Sequence, residues 1–136
     1  MAFTATVVTP ERILAETEVG AVHLRTADGE AAFLPGHTPL IGSVVPGLVR
    51  LEQVDGAELR LVVHGGFVHV EHESVQLLAP VAELADEIDV ARAQHAAEAA
   101  EARIAELRGA EAGDRELAEA EAALRRARDR LAVAGA

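Results

Sequence analysis

The stretch Phe33–Leu51, FLPGHTPLIGSVVPGLVRL, places three prolines and three glycines inside an otherwise apolar run. Proline fixes φ and lacks an N–H donor, whereas glycine accepts positive φ, so Pro35-Gly36 and Pro46-Gly47 each predict a stiff turn between strands. The stretch therefore predicts short β-strands separated by rigid turns.

The same organisation extends on both sides of this stretch, up to about Pro80. Asp28-Gly29 and Asp55-Gly56 are dipeptides typical of hairpin turns, and Gly65-Gly66 predicts the inside of another tight hairpin. Apolar residues recur at every second position, as in Val22 and Leu24, in Leu59, Leu61 and Val63, and in Val68 and Val70. Period two with closely spaced turns predicts an antiparallel β-sandwich over residues 1–85.

From about Asp86 the composition changes, because alanine supplies 18 of the 50 residues from Glu87 to Ala136 and proline is absent. The run is rich in helix formers and is broken only around Gly109 and Gly113, which predicts a two-helix hairpin over residues 86–136. Its predicted apolar stripes are Ala93, Ala97, Ala100, Ile104 and Leu107 on the first helix, and Leu117, Ala120, Leu124, Ala127 and Leu131 on the second.

A seam of alanines buries little apolar surface. Each buried CH₂ contributes roughly 0.8 kcal/mol, whereas ordering the backbone costs about 1–2 kcal/mol per residue, so the hairpin is close to break-even by itself. Two interpretations follow: a static hairpin packed on the sandwich, or a hairpin that opens as a switch. Structural considerations alone favour the static hairpin, and the low burial per turn keeps the switch open.

Several classes of function are excluded or disfavoured by composition. The net charge is −11, all basic residues are arginine and only three aromatic residues occur, which argues against nucleic-acid binding. Without cysteine there are no disulfides or thiol nucleophiles, and without lysine there is no Walker-type phosphate loop. No signal peptide or apolar run of membrane-spanning length is present, so we expect a protein retained in the cytoplasm without membrane insertion.

The sequence also offers no catalytic site. His64, His69 and His72 cluster in HGGFVHVEH, but on a strand His69 and His72 point to opposite faces, and solvent-facing histidines are expected rather than a metal site. The only serines, Ser43 and Ser74, lie outside any GxSxG elbow. A small cupin-like metal enzyme that uses the histidines is a rival interpretation, and a free-standing ligand-binding sandwich with a helical dimerisation tail is another.

One basic segment stands out in this acidic chain. The second predicted helix contains LRRARDRL, in which Arg126 and Arg130 share a face. If the hairpin turns near Glu111, Arg92 and Arg130 lie at equal heights, about 28 Å from the turn, and the three arginines converge. Asp89, one turn before Arg92, is placed to accept from a base or sugar hydroxyl. Solvated surface charges, an anion site such as one for a nucleotide phosphate, and a contact with acidic groups of a partner all stay open.

Taken in order, several motifs resemble one family. They are VVTPE, DGEAAFLPGHTPL, PGLVRL, GGFVHV and EIDVARA, followed by the alanine-rich tail. The chain thereby resembles, over essentially its whole length, the epsilon subunits of bacterial rotary ATP synthases. The resemblance implies a noncatalytic rotor subunit with a ten-stranded β-sandwich and two C-terminal helices, bound at the cytoplasmic face of the cell membrane as a peripheral protein without required cofactors.

The resemblance also assigns roles to individual residues. His37 resembles the histidine that faces the gamma subunit, and Asp28, Gly29 and Glu30 resemble the loop that lies over the ring of c subunits. In this family the helical domain folds against the sandwich or extends along gamma into the alpha/beta catalytic head, where it inhibits ATP hydrolysis. The same behaviour is implied here.

Some relatives bind regulatory ATP on the folded helical domain. The resemblance carries this site onto Ile88, Asp89, Arg92, Ala93, Arg126 and Arg130, with Glu83 as an addition. Nucleotide-binding relatives have another basic residue where this chain has Ala99, and the turn here, GAEAGD, is longer and acidic. We therefore expect ATP binding that is weak or absent.

Overall fold

The computed structural model describes residues 2–109 and 113–135 and divides the chain into two compact units, Met1–Ala85 and Asp86–Ala136. The predicted fold class is confirmed: a β-sandwich is followed by two helices. Within the described residues the strands are β1 (Phe3–Val8), β2 (Ile13–Thr26), β3 (Gly29–Phe33), β4 (Leu40–Val44), β5 (Gly47–Gln53), β6 (Glu58–Val63), β7 (Gly66–Val70), β8 (Ser74–Leu78) and β9 (Ala82–Leu84). A 3-10 turn (Ala85–Glu87) precedes helices α1 (Val90–Gly109) and α2 (Asp114–Gly135).

The long strand β2 belongs to both layers of the sandwich. Its first half pairs with β1, which continues through β8 and β7 to β4, and its second half pairs with β3 and β5, which continues through β6 to β9. A bulge between Val19 and Ala21 interrupts the pairing with β5 at this corner. Nine strands rather than ten are thus found in the described residues, since one unbroken strand serves both layers. All pairs are antiparallel except β1 with β8, which are parallel.

The core between the layers follows the predicted alternation. The side chains of Phe3, Val49, Leu61, Val68 and Val70 are at most 2% exposed and belong to one apolar cluster. Each fully buried Val, Leu or Phe contributes roughly 1.5–3 kcal/mol, so this cluster supplies the main stabilisation of the β unit.

Both predicted hairpin dipeptides lie at hairpins. Asp28-Gly29 joins β2 to β3, where Thr26 pairs with Gly29, and Gly29 has a φ of 122°. Asp55-Gly56 joins β5 to β6, where Gly56 has a φ of 92° and the Asp55 Oδ1 atom accepts the N–H of Ala57 at 2.8 Å. Aspartate and glycine thus perform the local turn chemistry that their sequence predicts.

The prediction of a hairpin at Gly65-Gly66 is wrong. Strands β6 and β7 flank this pair but do not pair with each other, because β6 lies between β5 and β9 and β7 lies between β4 and β8. The glycines instead carry the chain from one layer to the other. The expected close backbone approach is present, since a Cβ atom on Gly66 would collide with the carbonyl oxygen of Leu78.

The helical unit has the predicted seam, with two differences on α2. All five stripe residues predicted on α1 are buried, and on α2 Ala120 and Ala127 are buried while the three leucines are partly exposed. Val133, which the stripe omitted, is also buried. The predicted turn near Glu111 and most of GAEAGD lie outside the described residues.

Candidate functional site

The outer surface of strands β4, β7 and β8 carries exposed apolar side chains. Ile41 is 72% exposed, Phe67 58% and Leu78 43%. The strand register places Phe67 opposite Leu78 on β8 and opposite Ser43 on β4, one row from Ile41. Because the alternate residues of these strands form the core, these three side chains point outward together. We call Ile41, Phe67 and Leu78 the apolar face.

The apolar face lacks the charges found elsewhere on the sandwich. The strands LIGSV, GFVHV and SVQLL contain no Asp, Glu, Lys or Arg. The outer surface of β2, β5 and β6 instead has ion pairs: Arg50 lies 3.1 Å from Glu58 and His23 2.9 Å from Glu52 on neighbouring strands, and Arg60 lies 3.5 Å from Glu58 within β6. An exposed apolar area depleted of charge is typical of a protein-binding surface.

His37 lies in a loop that is anchored at both the backbone and the side chain. The N–H of Gly36 donates to the carbonyl oxygen of His72 at 2.8 Å, and the His37 Nδ1–H donates to the carbonyl oxygen of Thr38 at 2.6 Å. The imidazole packs edge-on against buried Phe33, with ring centroids 5.2 Å apart. His37 is therefore half-buried and held in a fixed orientation.

The acidic turn formed by Asp28, Gly29 and Glu30 lies at the other end of β3 from His37. Its residues are exposed, and the turn is held by Thr26, whose hydroxyl donates to the carbonyl oxygen of Gly29 at 3.1 Å. Strand β3 is five residues long, so the turn and the His37 loop are separated by about 16 Å. The two expected contact sites are thus distinct surfaces.

Of the four site residues that the EIDVARA motif supplies at the start of α1, three cap the helix or are buried. The Asp89 Oδ1 atom accepts the backbone N–H of Arg92 at 3.0 Å, and the Asp89 carbonyl oxygen accepts the N–H of Ala93 at 3.0 Å, which makes Asp89 the N-cap. Ile88 and Ala93 are buried. Of this motif, the side chain of Arg92 is exposed in the first turn, where it is accessible to a ligand.

Ion pairs between the helices fix their antiparallel register. Arg108 lies 3.5 Å from Glu121, and Arg128 lies 3.3 Å from Glu101. In this register Arg130 is level with Ala99, about 10 Å along α1 from Arg92, and Arg126 lies about one turn farther from Arg92. The four arginines of LRRARDRL also divide between two faces: Arg126 and Arg130 share one, and Arg125 and Arg128 share another.

Glu83 lies on β9, in the β unit, whereas the arginines lie in the helical unit. It pairs across the strands with Val62, and its Oε1 atom is 3.8 Å from His64 Nε2. The side chain of His64 is only 5% exposed, so the expectation of a solvent-facing histidine is wrong at this position. The side chain of His69 is 42% exposed and shares its face with Glu71, 3.2 Å away, as the strand geometry predicts.

Within residues 2–109 and 113–135, no group of three or more His, Asp or Glu side chains is arranged to hold a metal ion. None of the helices in this part of the chain is both long and apolar enough to cross a membrane.

Two features escaped the sequence interpretation. The apolar face was missed because exposed and buried positions of β4, β7 and β8 are both apolar, although the absence of charged residues from these strands was a usable signal. The ion pairs between α1 and α2 were missed because pairing across the hairpin depends on its register, which spacing within one helix does not give.

Both units match families of known proteins. Residues 2–85 match the family model of the ATP synthase delta/epsilon chain β-sandwich domain, and residues 86–135 match that of the delta/epsilon chain long α-helix domain. The ATP synthase epsilon chain of Desulforudis audaxviator is 50% identical over 99 residues, covering 73% of this chain and 72% of the relative. That of Halalkalibacterium halodurans is 43% identical over 129 residues, covering 95% and 94%.

A solved structure gives the same likeness. A chain of the Euglena gracilis mitochondrial ATP synthase, determined as an OSCP/F1/c-ring complex in rotational state 1, aligns with a TM-score of 0.79 and 25% identity. The alignment covers 94% of this chain and 78% of the Euglena chain. The similarity therefore extends over both units.

Proposed function

The chain belongs to the family of ATP synthase delta/epsilon chains, and from this premise we propose that it is the noncatalytic subunit that joins gamma to the c-ring and restrains ATP hydrolysis. It acts by binding and by a change of conformation, and it forms no covalent intermediate. Its attachment to the enzyme places it at the cytoplasmic face of the membrane as a peripheral protein. The Euglena relative, which was determined together with F1 and a c-ring, supports this assignment.

The apolar face is the observation that carries the proposal. Ile41, Phe67 and Leu78 are exposed on strands that contain no Asp, Glu, Lys or Arg, in a chain whose net charge is −11. Covering such a surface removes apolar area from water at about 25 cal/mol per Å², and none of its three strands carries an Asp, Glu, Lys or Arg that would have to be desolvated. We assign this face to the gamma subunit. A rigid sandwich bound over an apolar surface suits a part that transmits torque.

The two loops at the ends of β3 extend the contact in different directions. We assign His37, whose imidazole packs against Phe33, to the contact with gamma, as the family resemblance implies. We assign the exposed turn of Asp28, Gly29 and Glu30, about 16 Å away, to the contact with the c-ring. Contacts at opposite ends of one short strand would let a single rigid unit couple the two partners.

The helical unit supplies the regulation. Its seam consists largely of alanines, and its ion pairs are exposed, so each contributes only about 0–1 kcal/mol. A closed hairpin held this weakly can open and extend into the alpha/beta catalytic head. There the arginines of LRRARDRL would pair with acidic side chains and hinder hydrolysis.

Regulatory ATP would favour the closed hairpin. We assign its phosphates to Arg92, Arg126 and Arg130. Asp89, Ile88 and Ala93 then support the site by starting and packing α1. Glu83 belongs to the proposed set through the family resemblance only. Ala99, where nucleotide-binding relatives carry a basic residue, makes this binding weak.

Removal of the helical unit tests the regulatory role. A chain ending at residue 85 retains the whole β unit and its apolar core, so it should still assemble with gamma. In the reconstituted enzyme we expect proton-coupled synthesis to continue and ATP hydrolysis to increase relative to the full chain. Equal hydrolysis with both chains, measured at equal occupancy of the subunit, would contradict the inhibitory role while leaving the rotor role intact.

A further inference from the structure

A groove of about 550 Å³ runs along one side of the helical hairpin. It is lined by four residues of each helix, spaced so that they form one stripe per helix: Glu101, Ile104, Ala105 and Arg108 on α1, and Glu121, Leu124, Arg125 and Arg128 on α2. The family resemblance assigns nothing to this groove. Arg126 and Arg130, which we assign to nucleotide, do not line it.

Ion pairs between the helices close both ends of the groove. Arg128 meets Glu101 at 3.3 Å at one end, and Arg108 meets Glu121 at 3.5 Å at the other. Glu101 and Arg108 are separated by about 10 Å along α1. The space between the two pairs is therefore a short slot, and its volume lies within the roughly 300–1,000 Å³ of small-molecule sites.

Between the ion pairs, the slot has an apolar floor and one available cation. Ile104 and Leu124 belong to the apolar cluster of the hairpin, and Ala105 leaves room above them. Arg125 is exposed and, among residues 2–109 and 113–135, forms no ion pair or hydrogen bond, even with Asp129 one turn away. The other two guanidinium groups of the slot are each paired with a glutamate.

We propose that this groove binds a small amphipathic anion. One apolar group, aromatic or branched, covers Ile104 and Leu124, and one carboxylate, sulfonate or phosphate group pairs with Arg125. A single available guanidinium matches a ligand with one acidic group, which distinguishes this site from that of a nucleoside triphosphate. The ion pairs at the two ends limit the ligand to about the size of a two-ring aromatic compound.

Such a ligand would act on the conformation of the hairpin. The walls of the groove come from different helices, so the site exists only while α1 and α2 are closed against each other. A molecule that binds the closed form alone multiplies the ratio of closed to open hairpin by 1 + [L]/Kd, where Kd is its dissociation constant from the closed form. This inference goes beyond the proposed function and does not depend on gamma, the c-ring or ATP.

The test is a titration of the full ¹⁵N-labelled chain with 2-naphthalenesulfonate, followed by amide chemical shifts. We expect saturable shifts at Ile104, Leu124 and Arg125. Arg125→Gln should weaken binding at least about fivefold, because the charge-assisted contact is lost at a partly solvated site. Arg115→Gln removes the same charge from α2 outside the groove and should leave the affinity unchanged.

The control ligand is the neutral analogue 2-naphthalenemethanol. Its affinity for the native chain should be no higher than the affinity of the sulfonate for Arg125→Gln. The amide spectrum of each variant also reports whether it is folded. Equal affinity of the sulfonate for the native chain and Arg125→Gln would overturn the proposal. So would shifts confined to the apolar face around Phe67, which would show that the probe recognises that surface instead.

Discussion

The carboxylate of Asp89 lies 3.0 Å from the backbone nitrogen of Arg92 and caps helix α1. Removing the acceptor leaves an N–H of the first turn without its bond, so Asp89→Ala should destabilise the helical unit by about 1 kcal/mol. Asp89→Ser keeps a capping oxygen and should destabilise the helical unit by only about a few tenths of a kcal/mol. Thermal unfolding followed by helical circular dichroism measures both.

Asp86→Ala is the matched control for the cap, because it removes an exposed carboxylate just outside the helix. It should change stability by less than about 0.5 kcal/mol. If Asp89→Ser is as damaging as Asp89→Ala, the carboxylate serves a purpose other than capping.

Gly66 marks the passage of the chain between the two layers. Its φ is 143°, and an added Cβ atom would collide with the backbone of Leu78 and Ala79. Because backbone cannot move aside without disturbing the pairing of β7 and β8, Gly66→Ala should destabilise the sandwich by about 3 kcal/mol or more. Urea unfolding of the β unit measures this loss.

Gly29→Ala is the control for Gly66→Ala, because it introduces the backbone strain of a positive φ without a collision of the added Cβ atom. Gly29 also has a positive φ, 122°, but nothing lies within 4 Å of its added Cβ atom. The backbone conformation alone should cost about 1–2 kcal/mol. If Gly66→Ala and Gly29→Ala lose equal free energy of unfolding, the close approach to Leu78 is not the reason for glycine at position 66.

ATP should stabilise the closed helical unit only slightly. A ligand present at its Kd adds about 0.4 kcal/mol, and at a hundredfold excess it adds about 2.7 kcal/mol. Millimolar ATP should therefore raise the melting temperature by a small amount that Arg126→Ala abolishes. Arg115→Ala, which removes a charge from the exposed Arg115–Glu119 pair, should leave the shift unchanged. Equal shifts in the native chain and Arg126→Ala would place the nucleotide elsewhere.

Local signals in the sequence were sufficient for much of the fold. Asp55-Gly56 predicts its hairpin because the turn chemistry is contained in the turn. Ala93, Ala97 and Ala100 predict the buried side of α1 because helical periodicity is a property of one helix. These elements need no information about distant parts of the chain.

Three further misses involve partners distant in sequence. A Gly-Gly pair between two strands is compatible with a hairpin or a layer crossing, and only the pairing of β7 with β4 and β8 decides. His64 was expected in solvent because a strand pattern does not show that β9 pairs beside it. The groove beside Arg125 was not predicted because it depends on the register of α1 against α2.

The affinity of the chain for its gamma subunit tests the proposed rotor role most directly. Phe67→Asp places a carboxylate in the centre of the apolar face, where it would be desolvated in the complex, and should weaken binding at least about tenfold. Val54→Asp makes the same chemical change at an apolar residue of similar exposure, 61% against 58%, away from that face.

Binding of the full chain to a gamma-containing complex that lacks it can be measured for the native protein and both variants, with circular dichroism to confirm that each is folded. The account predicts a large loss of affinity for Phe67→Asp and native affinity for Val54→Asp. Native affinity for Phe67→Asp would contradict it, because the face that carries the proposed rotor contact would then not touch gamma.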